Sequence, residues 1–343
     1  MDTSNPRALK DSASFRLSQA TYPPRNLVLI HTGISLGAAL VLALIQYYLE
    51  TQIGSTGGLS GMGLRSVLET AQLTLQYALS IAMPFWNIGF IYVALQISKG
   101  EQATPKSLLE GFRRFGPVLR LQLLRGLVYF GVAIACIYAS SFIFALTPLS
   151  APLMDVFMPL METASTMEEL QLAVGQIPFN EMAQLIWPVL IIFGVLFGAL
   201  AVLLFYRFRM ADFVMMDRPN TSGLQALLFS GRMTRHHRME LFRLDLSFWW
   251  FYLLTALSMV ASYADVILQY IAVELPVSPT VAWFGAYILG MLVQLLVYWK
   301  YYSYVKTTLA VAYEGLLQQM PEFPMPQPQP APKKLPWDDY ETK

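Results

Sequence analysis

Six long apolar stretches constrain this chain more than any other feature of its sequence. Each runs for about 20 residues or more, which is the length a helix needs to cross about 30 Å of hydrocarbon. Only helices or closed barrels can span a bilayer, and these stretches are too long and too continuous for barrel strands. The predicted spans are Leu27–Tyr48, Ala71–Ile97, Gln122–Leu146, Gln184–Tyr206, Leu244–Val273 and Thr280–Ser303. The sequence therefore predicts an all-α, polytopic membrane bundle of about six transmembrane helices.

Positive charge lies almost entirely on one side of these spans. Among the 23 Lys and Arg residues, Arg65 is the single exception. The other 22 lie in positions 1–26, 99–125, 207–243 and 300–343. The positive-inside rule therefore predicts a multi-pass protein of the cell membrane with both termini in the cytoplasm. The loop 147–183, with five acidic residues and no Lys or Arg, is expected outside.

Composition divides the chain into three parts. Residues 1–26 form a polar N-terminal segment, 27–318 the transmembrane domain, and 319–343 a Pro-rich cytoplasmic tail. The last helix is expected to continue in water to about Leu317. The tail cannot bury enough apolar surface to fold and should sample the polyproline II conformation. It is either a solubilising disordered tail or a segment that docks into the groove of a partner protein.

The two long basic loops share a pattern that is typical of short amphipathic helices. Thr104-Pro105 can begin such a helix in the first loop, and Thr221-Ser222 can begin one in the second. Apolar residues would face one way and basic residues the other, which suits a helix lying among anionic lipid headgroups. The candidate headgroup contacts are Arg113, Arg114, Arg232, Arg235 and Arg238.

The same loops suggest a parallel internal repeat. At an offset of 118 residues, Arg114 aligns with Arg232 and Arg120 aligns with Arg238. Spans two and three would then correspond to spans four and five, as in some transporters. Two basic loops selected independently to set the topology explain the pattern equally well.

Polar residues form a stripe along the second predicted span. Counted at 100° per residue, they fall within about 80° of one another on the helix. The stripe consists of Glu69, Gln72, Gln76, Ser80 and Asn87. Polar groups at this depth normally face the bundle interior or a water-filled cavity. Hydrogen bonding between helices is one interpretation. A path for a small solute, in a transporter or channel that could be a homo-oligomer, is the other.

One part of the chain resembles a known family. The positions that carry this resemblance are Trp187, Asp217-x-Pro219, Ser230, Met233, the stretch Leu241–Trp250 and the stretch Thr307–Glu314. They are similar to the bacterial membrane proteins called domain of unknown function 975. The family usually has Ile-Pro-Gly-Ile in the fourth span, where this chain has Phe193-Gly194-Val195-Leu196. The resemblance implies a helical membrane fold and supplies no catalytic residue.

Several short patterns were weighed as chemistry and set aside. Gly33-Ile34-Ser35-Leu36-Gly37 fits the nucleophile pattern of hydrolases, but it lies inside a span instead of a strand–turn–helix. A helix-packing face explains it better, as it does for Gly194 with Gly198 and for Ala282, Ala286 and Gly290. The single Cys136 excludes an intrachain disulfide and a CxxC site. His236-His237 lacks companion metal ligands.

These observations predict a non-enzymatic membrane protein with no catalytic, cofactor-binding or metal-binding residues. Its expected role is interaction or organisation at the cytoplasmic membrane. Anionic lipid headgroups are the expected partners, the tail is a candidate contact for another protein, and nucleic acid is not an expected partner. Transport of a small solute along the polar stripe is the alternative.

Overall fold

The computed structural model describes residues 5–48, 59–163, 166, 168–169, 175, 179–218, 220–263 and 279–320. Over these residues the chain is helical and has no strand, which confirms the predicted fold class. The first six α-helices are α1 (Pro6–Gln19), α2 (Pro24–Tyr48), α3 (Leu59–Lys99), α4 (Glu110–Arg113), α5 (Phe115–Leu146) and α6 (Ala151–Thr163). They are followed by α7 (Phe179–Phe208), α8 (Ala211–Asp217), α9 (Gly223–Met233), α10 (Arg238–Leu246), α11 (Trp249–Ala261) and α12 (Pro279–Gln318).

Five helices are long and apolar enough to cross a membrane: α2, α3, α5, α12 and a helix that includes most of α7. The consecutive helices α10 and α11 would make a sixth span if they are counted together. The last helix extends well past its apolar part to Gln318, as the sequence predicted. The predicted number of about six spans therefore agrees with the structure.

The fifth predicted span differs from the expected single helix. The chain bends by 61° between α10 and α11. The N–H of Phe248 bonds to the carbonyl of Asp245, and the N–H of Phe251 bonds to the carbonyl of Phe248, so the carbonyl of Ser247 is left outside the helical ladder. Lys10 Nζ on α1 donates to that carbonyl at 2.8 Å. A contact from a distant helix thus supports a break that the apolar pattern did not reveal. The predicted continuation of this span to Val273 lies outside the described residues.

The described chain forms two compact units. The second unit, residues 119–209, contains most of α5, a 3₁₀ turn at Pro148–Ser150, α6 and α7. Cys136 on α5 is buried, and Phe193 stacks on Phe197 within α7. The predicted packing face at Gly194 and Gly198 is wrong for the described chain, because a methyl group at either position would meet no atom within 4 Å.

The first unit, residues 1–118 with 210–343, is built around α12, which packs against α1, α2, α3 and α11. Gly290 on α12 is a close contact of this kind, since a methyl group there would lie 2.8 Å from the carbonyl oxygen of Ser258 on α11. The predicted packing role of Gly290 is therefore confirmed. Gly33 and Gly37 on α2 have open space instead, so the same prediction is wrong for them.

The first basic loop folds differently from the second. After Thr104 it forms a 3₁₀ turn, Pro105–Leu109, and the four-residue α4, so the predicted amphipathic helix is replaced by two short segments. The second loop contains α9, which begins with a capping box between Ser222 and Gln225. Because the two loops differ in local structure, the internal repeat stays a prediction.

Two glycines explain why the first loop is so compact. A methyl group on Gly89 of α3 would overlap the backbone oxygen of Leu108 in the 3₁₀ turn. A methyl group on Gly111 of α4 would overlap the backbone oxygen of Phe85 on α3. Only glycine has no Cβ, so the loop can fold back directly onto the backbone of α3 at these two positions.

Candidate functional site

The densest packing lies where the two ends of the chain meet in the first unit. We call this region the terminal layer and define it as α1, the second half of α3 (85–99), α8 and the second half of α12 (302–318). Its buried apolar side chains include Leu9, Leu95, Met210, Met215, Met216, Val311 and Leu316. Large apolar residues buried to this extent contribute about 1.5–3 kcal/mol each relative to exposure. The terminal layer is therefore a rigid body.

A buried acid joins three helices of the terminal layer. Asp217 at the end of α8 accepts a hydrogen bond from the hydroxyl of Tyr313 on α12 at 2.8 Å. Its other carboxylate oxygen pairs with Lys99 at the end of α3. The Asp217 side chain is nearly inaccessible, and Tyr313 is completely buried. The paired charges are thus fixed by the fold and serve to hold the helices together.

A second polar contact lies one residue further along α12. Glu314 accepts a hydrogen bond from Ser98 Oγ of α3 at 2.6 Å, and Arg16 of α1 lies 3.5 Å from its other oxygen. Asp217, Tyr313 and Glu314 all belong to the positions that carry the family resemblance. These positions therefore form the internal framework of the terminal layer.

The predicted headgroup residues fall into two groups in the structure. Arg113, Arg232 and Arg235 are exposed, whereas Arg114 and Arg238 are partly covered. Arg114 bonds to Glu110 at 3.1 Å and to the carbonyls of Met215 and Met216 at 3.3 and 2.8 Å. These carbonyls end α8, so Arg114 caps a helix C-terminus and carries a favourable charge there. The exposed arginines are the ones left available for a partner.

α9 holds its exposed residues on a firm base. Its inner face, which includes Leu227, Ser230 and Met233, is buried, and the hydroxyl of Ser230 accepts a hydrogen bond from the N–H of Met210 at 3.2 Å. Its outer face exposes Leu224 and Leu228 at 54% and 48%. Apolar and basic residues are thus displayed together on a fixed helix.

The exposed residues of α9 share one side of the helix. Leu224, Leu228, Arg232 and Arg235 follow each other at intervals of four, four and three residues. The arrangement lets apolar side chains enter a lipid surface while the guanidinium groups meet phosphates.

The polar stripe lies mostly on the outer surface of α3. Glu69, Gln76, Ser80 and Asn87 are exposed in the described chain, and Gln72 is half-buried. The hydroxyl of Ser80 donates to the carbonyl of Gln76 in its own helix at 2.8 Å. The structure therefore keeps these residues on one helix but does not bring them into a shared interior.

His31 is a buried polar residue that sequence analysis treated only as a neighbour of Ser35. Its ring lies between Trp86 and Tyr302, with centroid distances of 5.4 and 5.5 Å, and Trp86 Nε1 donates to its backbone carbonyl at 2.9 Å. The amide of Asn87 approaches the imidazole, but neither ring nitrogen makes a hydrogen bond of good geometry among the described residues. The ring packs as part of an aromatic cluster that joins α2, α3 and α12. An isolated His in an apolar stretch was the available signal.

Neither metal nor catalytic chemistry is indicated by the clusters of the described residues. Within those residues, no group of three or more His, Cys, Asp or Glu side chains could hold a metal ion. His237 Nδ1 lies 2.9 Å from Glu240, while His236 is exposed. The acid of the fifth predicted span, Asp245, accepts a hydrogen bond from Tyr252 at 3.0 Å.

Long apolar helices and a terminal layer of paired charges define the chain as a helical protein of the multi-pass membrane class. A family model described as a protein of unknown function, DUF975, matches residues 27–320, and the chain belongs to this family. The suspected family resemblance is thereby confirmed. No curated protein and no solved structure matches the chain.

Proposed function

We propose that this protein has a non-enzymatic, organising role at the cytoplasmic surface of the cell membrane. The observation that carries the proposal is the outer face of α9, where exposed Leu224 and Leu228 precede exposed Arg232 and Arg235. Anionic lipid headgroups fit this face, because apolar insertion and phosphate contact act together in interfacial helices. The positive-inside pattern supports a cytoplasmic location for this face.

The first basic loop offers a similar surface. Leu109, Phe112 and Phe115 are exposed at 51%, 38% and 48%, and Arg113 lies among them. Phe112 and Phe115 both stack on Phe85 of α3, which fixes their position. Two separate segments of the first unit thus present apolar and cationic groups together, which supports a broad contact with a lipid surface.

The experiment compares vesicles that contain phosphatidylglycerol with vesicles of phosphatidylcholine alone. Purified protein in detergent is incubated with fluorescent phosphatidylglycerol, and binding is measured by competition with each type of unlabelled vesicle. Replacing Arg113, Arg232 and Arg235 by Gln should reduce affinity for the anionic lipid by about 3 kcal/mol in total, at about 1 kcal/mol for each charge. Screening over a Debye length should make the difference largest at low salt.

The matched control replaces the same three arginines by Lys. Charge is kept while the guanidinium geometry is lost, so binding should stay close to that of the unchanged protein. Equal affinity of the Gln variant at every ionic strength would refute the headgroup role. Weakened binding in the Lys variant would instead indicate a specific contact of the guanidinium groups.

The Pro-rich tail would place a protein partner beside the terminal layer. α12 ends at Gln318 within this layer, and residues 319–343 follow directly. A pull-down with the full chain and with a chain lacking 321–343 tests this part of the proposal. Partners that are retained equally well by both chains would exclude the tail as their contact.

The transport alternative and a homo-oligomer rest on the polar stripe. Its exposed residues lie on the surface of α3 in the described chain, so a path that used them would need a second surface to enclose it. A second copy of the chain is one way to supply that surface. The test that separates transport from packing is argued in the Discussion.

A further inference from the structure

Ring contacts place three helices of the first unit at a common level. On α11 and α12, Phe251 lies 5.8 Å from Tyr298, and Phe248 lies 5.7 Å from Tyr304, measured between ring centroids. Trp249 and Trp250 therefore lie level with the part of α12 between those two tyrosines. The start of α2 reaches the same part of α12, because the guanidinium of Arg25 lies 5.4 Å from the centre of the Trp299 ring.

The exposed residues of α12 change character at this level. Before it, the exposed side chains are apolar, at Leu289, Leu292 and Leu296. At this level they become Trp299 and then Lys300, whose ammonium group lies over the ring of Tyr301 at 5.3 Å. The order apolar, aromatic, cationic is the order met when a helix leaves hydrocarbon and enters the headgroup region.

The other two helices show the same order. On α11, exposed Leu257 and Leu253 are followed, toward α10, by the exposed pair Trp250 and Trp249. On α2, exposed Leu29 lies one turn inward from exposed Arg25. Three helices that change at one level define a plane, which a single aromatic residue could not do.

Helix lengths agree with this plane. From Pro279 to Trp299 is about 21 residues, or roughly 31 Å of helix, which matches the thickness of a hydrocarbon core. On α3, Phe90 lies 4.8 Å from Tyr302, which puts the plane near Asn87. The stretch from Ser66 to Asn87 is then roughly 33 Å long.

We infer that Arg25, Trp249, Trp250, Trp299 and Lys300 form a headgroup band that binds the phosphates of membrane lipids and fixes the depth of the protein in the bilayer. The terminal layer, including α12 beyond Tyr302, then stands outside the hydrocarbon. This inference rests on the membrane-surface role proposed above, but it involves none of the arginines tested there. A lipid is the fitting occupant because the cations adjoin apolar, lipid-length helices instead of a closed polar pocket.

Depth measurements test the plane directly. Single cysteines are placed at Leu257, Trp250 and Phe242 in a chain with Cys136→Ala, and each is spin-labelled in nanodiscs of phosphatidylglycerol and phosphatidylcholine. All three positions are exposed. Accessibility to oxygen should be highest at 257, and accessibility to a water-soluble nickel complex should be highest at 242, with 250 between them. An equal depth at 242 and 257 would overturn the band.

Charge removal tests the phosphate contact. Arg25→Gln should weaken binding of fluorescent phosphatidylglycerol about fivefold, the equivalent of one cation near the surface. The control is Arg16→Gln, because Arg16 pairs with Glu314, about 14 residues or roughly 21 Å along α12 from Lys300 and beyond a Debye length at physiological salt. The control should bind nearly as well as the unchanged protein.

The outcomes separate this inference from the proposed function. Equal losses in Arg25→Gln and Arg16→Gln would overturn the band as the site of contact. Displacement of the lipid by inorganic phosphate at equal concentration would show a free-anion site and would also overturn it. If the band variants lose binding while the Gln variants at 113, 232 and 235 do not, the band stands and the proposed role of α9 fails.

Discussion

The two halves of α3 belong to one helix but have opposite surroundings. Before Pro84, most side chains are exposed, with Val67 at 65%, Tyr77 at 68% and Ile81 at 59%. After it, Phe85, Phe90, Val93 and most of their neighbours are buried. Both halves are apolar enough to pass as one span. Hydrophobicity therefore shows where a helix can enter lipid, but it does not show where a helix is packed by protein.

The difference has a physical origin in what each half must satisfy. A half surrounded by lipid tails gains little from burying Leu, because the tails are equally apolar. A half that stands in water gains from every apolar group it buries. The packed half of α3 is accordingly covered by α1, α4, α8 and the second half of α12. Its polar groups, Ser98 and Lys99, find partners on α12 and α8.

The largest expected effect comes from closing the space at Gly89. Gly89→Ala and Gly111→Ala each place a methyl group against a backbone oxygen, which cannot rotate away. We expect each to lower the free energy of unfolding by about 3 kcal/mol, the upper part of the range for overpacking. The measurement is the fraction of intact protein after heating in detergent.

The control for the glycine variants is Gly33→Ala on α2, where a methyl group meets no atom within 4 Å. Replacing a helical Gly by Ala should there be neutral or stabilise by about 0.5–1 kcal/mol. If Gly89→Ala melted together with the control, the close approach of the first basic loop to α3 would be refuted.

A smaller effect is expected from the buried hydroxyl of Tyr313. Tyr313→Phe removes the donor to Asp217 and leaves an acid inside the terminal layer with one partner fewer. A hydrogen bond to a charged group is worth about 1.5–3 kcal/mol, and unfolding should become easier by that amount. The comparison variant is Tyr77→Phe in the exposed half of α3, which should stay within about 0.5 kcal/mol. Equal effects would mean that the two halves do not differ in packing as described.

Sequence reasoning recovered the features that each residue carries by itself. The apolar stretches, the long extension of α12 and the family all followed from local runs of residues. The break at Ser247 did not, because Lys10 supports it from more than 200 positions away. The role of Arg114 was also missed, since a basic residue beside a membrane looks alike whether it faces phosphates or helix carbonyls. Gly89 and Gly111 gave no signal, because their importance depends on which backbones meet.

The smallest stability effect is expected in the polar stripe, where the same experiment decides between transport and packing. Gln76 and Asn87 are exposed, and by the level of the headgroup band Asn87 lies at the edge of the hydrocarbon, so only part of the stripe crosses it. The variant Gln76→Leu with Asn87→Leu should lose at most about 0.6 kcal/mol per residue, the average for hydrogen bonds between membrane helices. Gln72→Leu is the matched control, because Gln72 is half-buried on the same helix. Melting in detergent is measured beside growth and lipid binding in cells that depend on the protein. If the stripe serves packing alone, the double variant should melt near the unchanged protein and keep both activities. A double variant that folds, binds lipid and yet fails in cells would reject the organising role and favour a solute path, because leucines would then block water or solute without harming the fold.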